Sequence, residues 1–150
     1  MKCSKFKNHK NSIGLLFWQT ATLWQRAIKE TLRPYNLTHT QYVILAVIQE
    51  LNESDENVTQ KKISDFSMID IMTTSSTLRL LEKKKLICRT ISTVDSRANS
   101  IKISSSGSKL LCEATPDVEN VDEAFFFKNN IEDITSLKQL LLKLKQKNDK

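Results

Sequence analysis

Apolar residues in this chain recur every three or four positions over most of its length, and the rhythm turns into alternation only once, in residues 87–103. A helix turns once in about 3.6 residues and a strand alternates its faces, so the chain has to be built from amphipathic helices with one small β element among them. Only two glycines and two prolines punctuate the 150 residues. That scarcity favours long helices over frequent turns.

The first helix is expected from Ile13, with Leu16, Phe17, Leu23, Trp24, Ala27, Ile28 and Leu32 on its apolar face, ending near Arg33 because Pro34 follows. Thr38 and Gln41 have the spacing of a capping box and open a buried second helix that should stop around Leu51, before an exposed polar loop over residues 52–57. Thr59 and Asp70 are suited to cap two short helices, one carrying Ile63 and Phe66, the other Ile71, Thr74, Leu78 and Leu81, with a turn at residues 67–69 between them. This is a helix-turn-helix pattern. Alternation in Ile87, Arg89 and Ile91 and again around Lys102 predicts a β-hairpin, a wing. Ser104 should cap a further helix with Leu110, Leu111 and Ala114 inside it, and Pro116 is expected to break or kink it. After the cluster of Phe125, Phe126 and Phe127, a last amphipathic helix carries Ile131, Ile134, Leu137, Leu140, Leu141 and Leu144.

Charge narrows the function. The net charge is +6, and it is unevenly spread: residues 59–102 hold nine Lys and Arg against four Asp and Glu, whereas residues 113–133 hold seven Asp and Glu against one Lys. A basic middle beside an acidic segment suits a nucleic-acid face with another surface behind it. Cys3, Cys88 and Cys112 are an odd number without metal-ligand spacing, so a reducing cytoplasm is the expected compartment. Cys88 is read as a buried, inert thiol. The apolar stretch at residues 13–18 is too short for a signal-peptide core or a membrane span. With only His9 and His39, no Gly-rich phosphate loop and no nucleophile elbow, the chain offers no catalytic residues, no metal ligands and no cofactor site, so an enzyme is not expected.

Residues 59–107 resemble the winged helix of the MarR family. The likeness is carried by a Thr-led helix, the run Leu80-Leu81-Glu82-Lys83-Lys84-Lys85-Leu86-Ile87-Cys88-Arg89, the wing Asp95-Ser96-Arg97, and Ile101-Lys102-Ile103-Ser104-Ser105-Ser106-Gly107. Lys85 stands where the family usually has glycine, and Ser104 where it has threonine. The resemblance implies a mainly helical fold with a β-hairpin wing: a basic tail over residues 1–10, a helical dimerisation region over residues 11–37 and 104–150, and a DNA-binding lobe over residues 38–103.

On that reading, the partners are double-stranded DNA and a second copy of the chain, with no membrane involved. The second helix of the helix-turn-helix enters the major groove, burying Ile71, Thr74, Leu78 and Leu81 and turning Thr73, Ser76, Arg79, Leu80 and Lys83 outward. Thr59, Lys61, Lys62, Thr74 and Ser75 complete the candidate DNA-binding set. The resemblance also implies that Arg97 reaches the minor groove and that Asp95 steadies the wing, although Asp95 equally suits an ordinary turn. A small aromatic or anionic effector would lie between the lobes, with Trp18, Trp24, Arg26, His39 and Tyr42 as candidates, unless these aromatics are simply core. Two readings therefore stand: a dimeric regulator, expected to repress, on a pseudo-palindromic operator, and a winged-helix adaptor or antirepressor that binds protein instead.

Overall fold

The computed structural model describes residues 3–54, 57–91 and 99–149, with the backbone alone at Ile91 and Asn99. Helix α1 (Ile13–Leu32) starts at Ser12, whose hydroxyl accepts from Leu15 N, and runs into a tight turn at Arg33–Tyr35. Helix α2 (His39–Ser54) opens on the expected capping box: Thr38 Oγ1 accepts from Gln41 N at 3.1 Å and Gln41 Oε1 accepts from Thr38 N at 3.2 Å. Helices α3 (Gln60–Ser67) and α4 (Ile71–Lys83) follow, then strands β1 (Ile87–Ile91) and β2 (Asn99–Ile103), antiparallel with Cys88 opposite Lys102. Helices α5 (Ser105–Phe125) and α6 (Ile131–Asn148) complete the chain.

One core joins these elements. Ile28 and Leu32 of α1 meet Ile44, Leu45 and Ile48 of α2, Ile63 of α3, Leu78 and Leu81 of α4, Ile101 of β2, and Leu111, Ala114 and Val118 of α5. No residue of α6 is buried, and none of α1 before Ile28.

Three expectations change. Helix α2 runs on to Ser54 instead of stopping at Leu51. The continuation is put to use: Asn52 Nδ2 donates to Ile101 O and Asn52 Oδ1 accepts from Ile103 N, both at 3.0 Å. One side chain thus satisfies two β2 backbone groups on the side away from β1, and Val58 O accepts from Ile101 N at 2.8 Å beside it. Pro116 does not end the helix, because α5 continues through it. Pro116 and Cys112, the residue whose carbonyl loses its donor, are both exposed, so water can take that bond while Ala114 and Val118 anchor the inner face. Cys88 lies exposed on β1 rather than buried. Its neighbours Ile87 and Arg89 alternate inward, which turns position 88 out.

The end of α4 is a Schellman cap, with Leu86 N donating to Leu81 O and Lys85 N to Glu82 O, both at 2.9 Å. Lys85 has φ 62° there, in the left-handed region. Beyond it Ser104 N donates to Leu86 O, the Ser104 hydroxyl donates to Lys85 O at 2.7 Å, and the same hydroxyl accepts from Gly107 N at 3.0 Å. A Cβ on Gly107 would stand 2.1 Å from Leu86 O and 2.9 Å from Ile103 Cγ1.

The α1, α2 and α5 helices are also joined by polar groups. Trp24 Nε1 donates to Asp122 Oδ1 at 2.7 Å, and the Trp24 ring packs edge-on to His39 with centroids 5.1 Å apart. Tyr42 and Thr115 hydroxyls lie 3.2 Å apart, and the Tyr35 hydroxyl reaches both Glu113 O and the Asp117 carboxylate. Burial pushes the His39 imidazole below its ordinary value of 6.5, against the opposing pull of Asp122.

Two outcomes are expected. Gly107→Ala should lower unfolding free energy by about 3 kcal/mol through overpacking against a backbone carbonyl, whereas Lys85→Gly should raise it by about 1 kcal/mol by relieving the left-handed residue. Urea denaturation checks both, and a neutral Gly107→Ala would mean the close approach does not exist. For His39 the unfolded chain binds the proton more tightly, so its contribution is complete above about pH 6.5 and is lost as pH falls from there towards the lower folded value. A His39→Gln protein should show a shallower loss of stability between about pH 7 and pH 5; identical profiles would remove His39 from the pH response.

Candidate nucleic-acid interface

The two helices of the helix-turn-helix are set by side-chain bonds to the turn between them. Met68 caps α3 in the left-handed region, φ 61°. The Ser64 hydroxyl donates to Ile69 O at 2.6 Å, the Thr74 hydroxyl donates to the same oxygen at 3.4 Å, and Ile69 N donates to Ser67 Oγ at 3.2 Å. Asp70 then caps α4, accepting from Thr73 N at 2.9 Å. The nearby Thr73 side chain first, and then this backbone bond, hold its carboxyl below its ordinary value.

This arrangement corrects the expected faces of α4. Thr74 is wholly buried and spends its hydroxyl on the turn, so it leaves the candidate DNA-binding set. Ile71, expected in the core, is exposed; Thr77 takes the inward place beside Thr74, Leu78 and Leu81. By spacing Ile71 shares the face of Thr74 and Leu78, but it stands at the first position of α4, where that face is exposed. Thr73, Ser76, Arg79, Leu80 and Lys83 face solvent as expected, Ser75 is half-buried, and Met72, which the apolar pattern gave no reason to single out, is the most exposed large apolar side chain of the two helices.

The cations differ in how far they are committed. Lys61 pairs with Asp65 at 2.9 Å across one turn of α3, and Lys62 donates to Asn57 O at 2.8 Å. Arg89 Nε lies 3.4 Å from Glu82 Oε2 and is half-buried. Among the described residues Arg79 and Lys83 have no ion-pair partner, and both project from the exposed face of α4. Thr59 is half-buried and accepts from Lys62 N as the α3 cap. Asp95 and Arg97 lie outside the described residues.

The five candidate effector residues do not converge. Trp18 and Arg26 border a shallow hollow on one face of α1, with Trp18 72% exposed, while Trp24, His39 and Tyr42 belong to the helix junction. Of the five, only His39 lines the cleft of about 490 Å³ between the end of α1 and the start of α2. Its wall also carries Lys29, Arg33 and Lys84, and Lys84 reaches across from the end of α4 to donate to Asn36 O at 2.7 Å and Gln41 Oε1 at 3.3 Å. Sequence spacing gave no hint of it, because its basic residues come from helices far apart in the chain. Among the described residues no His, Cys, Asp and Glu cluster is placed to hold a metal, and no helix is long and apolar enough to cross a membrane.

Comparison with known proteins places this geometry. The MarR family model matches residues 37–98. The chain is 38% identical over 123 residues to the HTH-type transcriptional regulator YdcH of Bacillus subtilis, covering 82% of this chain and 84% of that one. Two solved structures share the fold at 19% identity. They are Bordetella bronchiseptica BpsR, from work on regulation of its DNA binding by 6-hydroxynicotinic acid, with a TM-score of 0.83 over 93% of this chain and 96% of that one, and a cysteine-to-serine mutant of MarR from E. coli complexed with operator DNA, with a TM-score of 0.82 over 94% and 99%. A helix-turn-helix capped at Thr59 and Asp70, a two-stranded wing and flanking helices, together with close kinship to a transcriptional regulator, lead to one assignment: the chain belongs to the MarR family, a family of winged helix-turn-helix DNA-binding regulators and not of enzymes.

Proposed function

We propose that this protein is a cytoplasmic repressor that binds a pseudo-palindromic operator as a homodimer, with α4 of each copy in the major groove and the wing, through Arg97, in the flanking minor groove. The observation that carries this reading is the exposed stripe of α4, where Arg79 and Lys83 have no ion-pair partner among the described residues on a helix whose two ends are firmly capped. Guanidinium and ammonium groups so placed neutralise phosphates and release counterions, which supplies affinity and makes it fall with salt.

The dimer reading rests on surface. The accessible area is 11318 Å², against roughly 7,800 Å² for a compact monomer of this size. Large apolar side chains stand in solvent on both terminal helices: Ile13, Leu16, Phe17 and Leu23 on α1, and Ile131, Leu140, Leu142 and Leu144 on α6. A second copy covering those faces removes them from water and sets two α4 helices on one side of a duplex.

An aromatic carboxylate is the effector that best suits the basic cleft. Its anionic group would meet Lys29 and Arg33 and compete with Asn36 O and Gln41 Oε1 for Lys84, the residue that caps α4. Binding there would act on the end of the recognition helix.

Sedimentation should give a dimer at micromolar concentration, and a monomer at that concentration would sink the two-fold reading. Gel shifts across a salt series should show Arg79→Ala weakening binding to all duplexes, with a salt slope shallower by about 0.9 for each arginine that meets a phosphate. An unchanged slope would remove Arg79 from the interface. Benzoate or salicylate should weaken binding by the native protein and leave an Arg33→Glu, Lys29→Glu double variant unaffected; equal inhibition of both proteins would place the effector elsewhere.

A further inference from the structure

The leading end of the outward stripe of α4 offers few free hydrogen-bond donors. The stripe runs through Met72, Ser76, Arg79, Leu80 and Lys83, at the three- and four-residue steps that keep side chains on one helix face, with Thr73 beside its start. The Ser76 hydroxyl donates to Thr73 O at 3.1 Å. It remains able to accept, but has no proton to offer without giving up a bond within the helix start. Arg79 and Lys83 lie two and three turns further on.

At the leading end stands Met72, 79% exposed, with Ile71 also exposed beside it. Phe66 and Met68 stand in solvent just across the turn. An unbranched thioether held out from the second position of a capped helix is flexible and polarizable, and suits an apolar knob in an otherwise polar groove. The major groove offers one such knob, the C5-methyl of thymine, and the first residues of a recognition helix are the ones that meet base edges. The flanking Lys61, Lys62, Arg79 and Lys83 match a phosphate-lined groove rather than an apolar protein surface.

We propose that Met72 is a specificity-determining residue that reads thymine methyl groups in each half-site by van der Waals contact. This deepens the operator-binding reading above and rests on it. Sequence preference then falls on A·T pairs beneath the start of α4, while polar contacts further along the helix fix register on the backbone.

The test uses duplexes selected by the full-length protein from a random library. Each thymine of a half-site is replaced in turn by deoxyuridine, which removes the methyl group and leaves every hydrogen-bonding atom in place. At one or two positions per half-site the native protein should lose about fourfold in affinity for each methyl removed. Met72→Ala, a change at an exposed site, should fold normally, bind the thymine duplex several-fold more weakly with an unchanged salt slope, and no longer distinguish thymine from uracil at those positions.

Equal affinity for thymine and uracil duplexes at every position, with steep salt dependence retained, would overturn the methyl reading and leave operator binding standing. A thymine preference that survives in Met72→Ala would overturn the assignment to this residue. Failure of the native protein to bind any duplex at low salt would overturn both readings and leave Phe66, Met68 and Met72 as a face for a protein partner.

Discussion

The approach of the Gly107 backbone to the Leu86 carbonyl is the contact on which the setting of α5 against α4 and the hairpin depends. Three elements meet there within a few residues: the left-handed end of the recognition helix at Lys85, the base of the hairpin at Ile103, and the first turn of α5. Leu86 O accepts from Ser104 N, and Ser104 Oγ both donates to Lys85 O and accepts from Gly107 N. These bonds satisfy backbone groups that a helix end and a helix start would otherwise leave to water. With any side chain at position 107 the helix would stand off, and the angle of α5 to α4 would change with it.

Much of this was legible because it is local. Caps at Thr59, Asp70 and Ser104, the box at Thr38 and Gln41, and the alternation in residues 87–91 are short-range signals, and each capped helix starts where its cap stands. The left-handed backbone at Lys85 follows from its place in the family pattern. What was not legible is what distant segments do to one another. Asn52 looks like loop until β2 is seen to need two partners, and Pro116 looks like a point of breakage or kinking until both it and Cys112 are seen to face water. Ile71 is exposed and Thr77 buried, against what hydrophobicity alone suggests, because Ile71 stands at the first position of α4 and Thr77 lies beside Thr74 and Leu78 on the inner face. The basic cleft escaped for the same reason as Asn52, since Lys29, Arg33 and Lys84 are brought together by the corner between α1 and α2.

Within the candidate interface, stability and recognition draw on the same hydroxyls. Ser64 and Thr74 hold the turn, and the Ser76 and Thr77 hydroxyls both donate to Thr73 O, at 3.1 and 2.7 Å. A helix start rich in Ser and Thr is prone to such local bonds, which compete with any external partner. Freeing a hydroxyl for a base would cost about 1 kcal/mol, the net worth of an ordinary intramolecular hydrogen bond. The groups that carry no such cost are the apolar ones at the leading end and the cations further along, so contact with a groove divides between shape and charge.

The junction of Trp24, His39, Tyr42, Thr115 and Asp122 links that lobe to the helices proposed to form the dimer. Trp24 sits where α1 leaves its buried end and enters its exposed one: Ile28 and Leu32 behind it are core, while Leu23 and Phe17 ahead of it stand in solvent. Its indole N–H is held by α5 and its ring by α2 and Phe126. A partner copy covering the exposed half of α1 would therefore press on a residue that already positions α2 against α5. Since Gln41 of α2 accepts from Lys84 at the end of α4, the path from the exposed half of α1 to α4 is short. The spacing between two recognition helices would then be set by how α1 packs in the assembled dimer, more than by anything a single copy fixes.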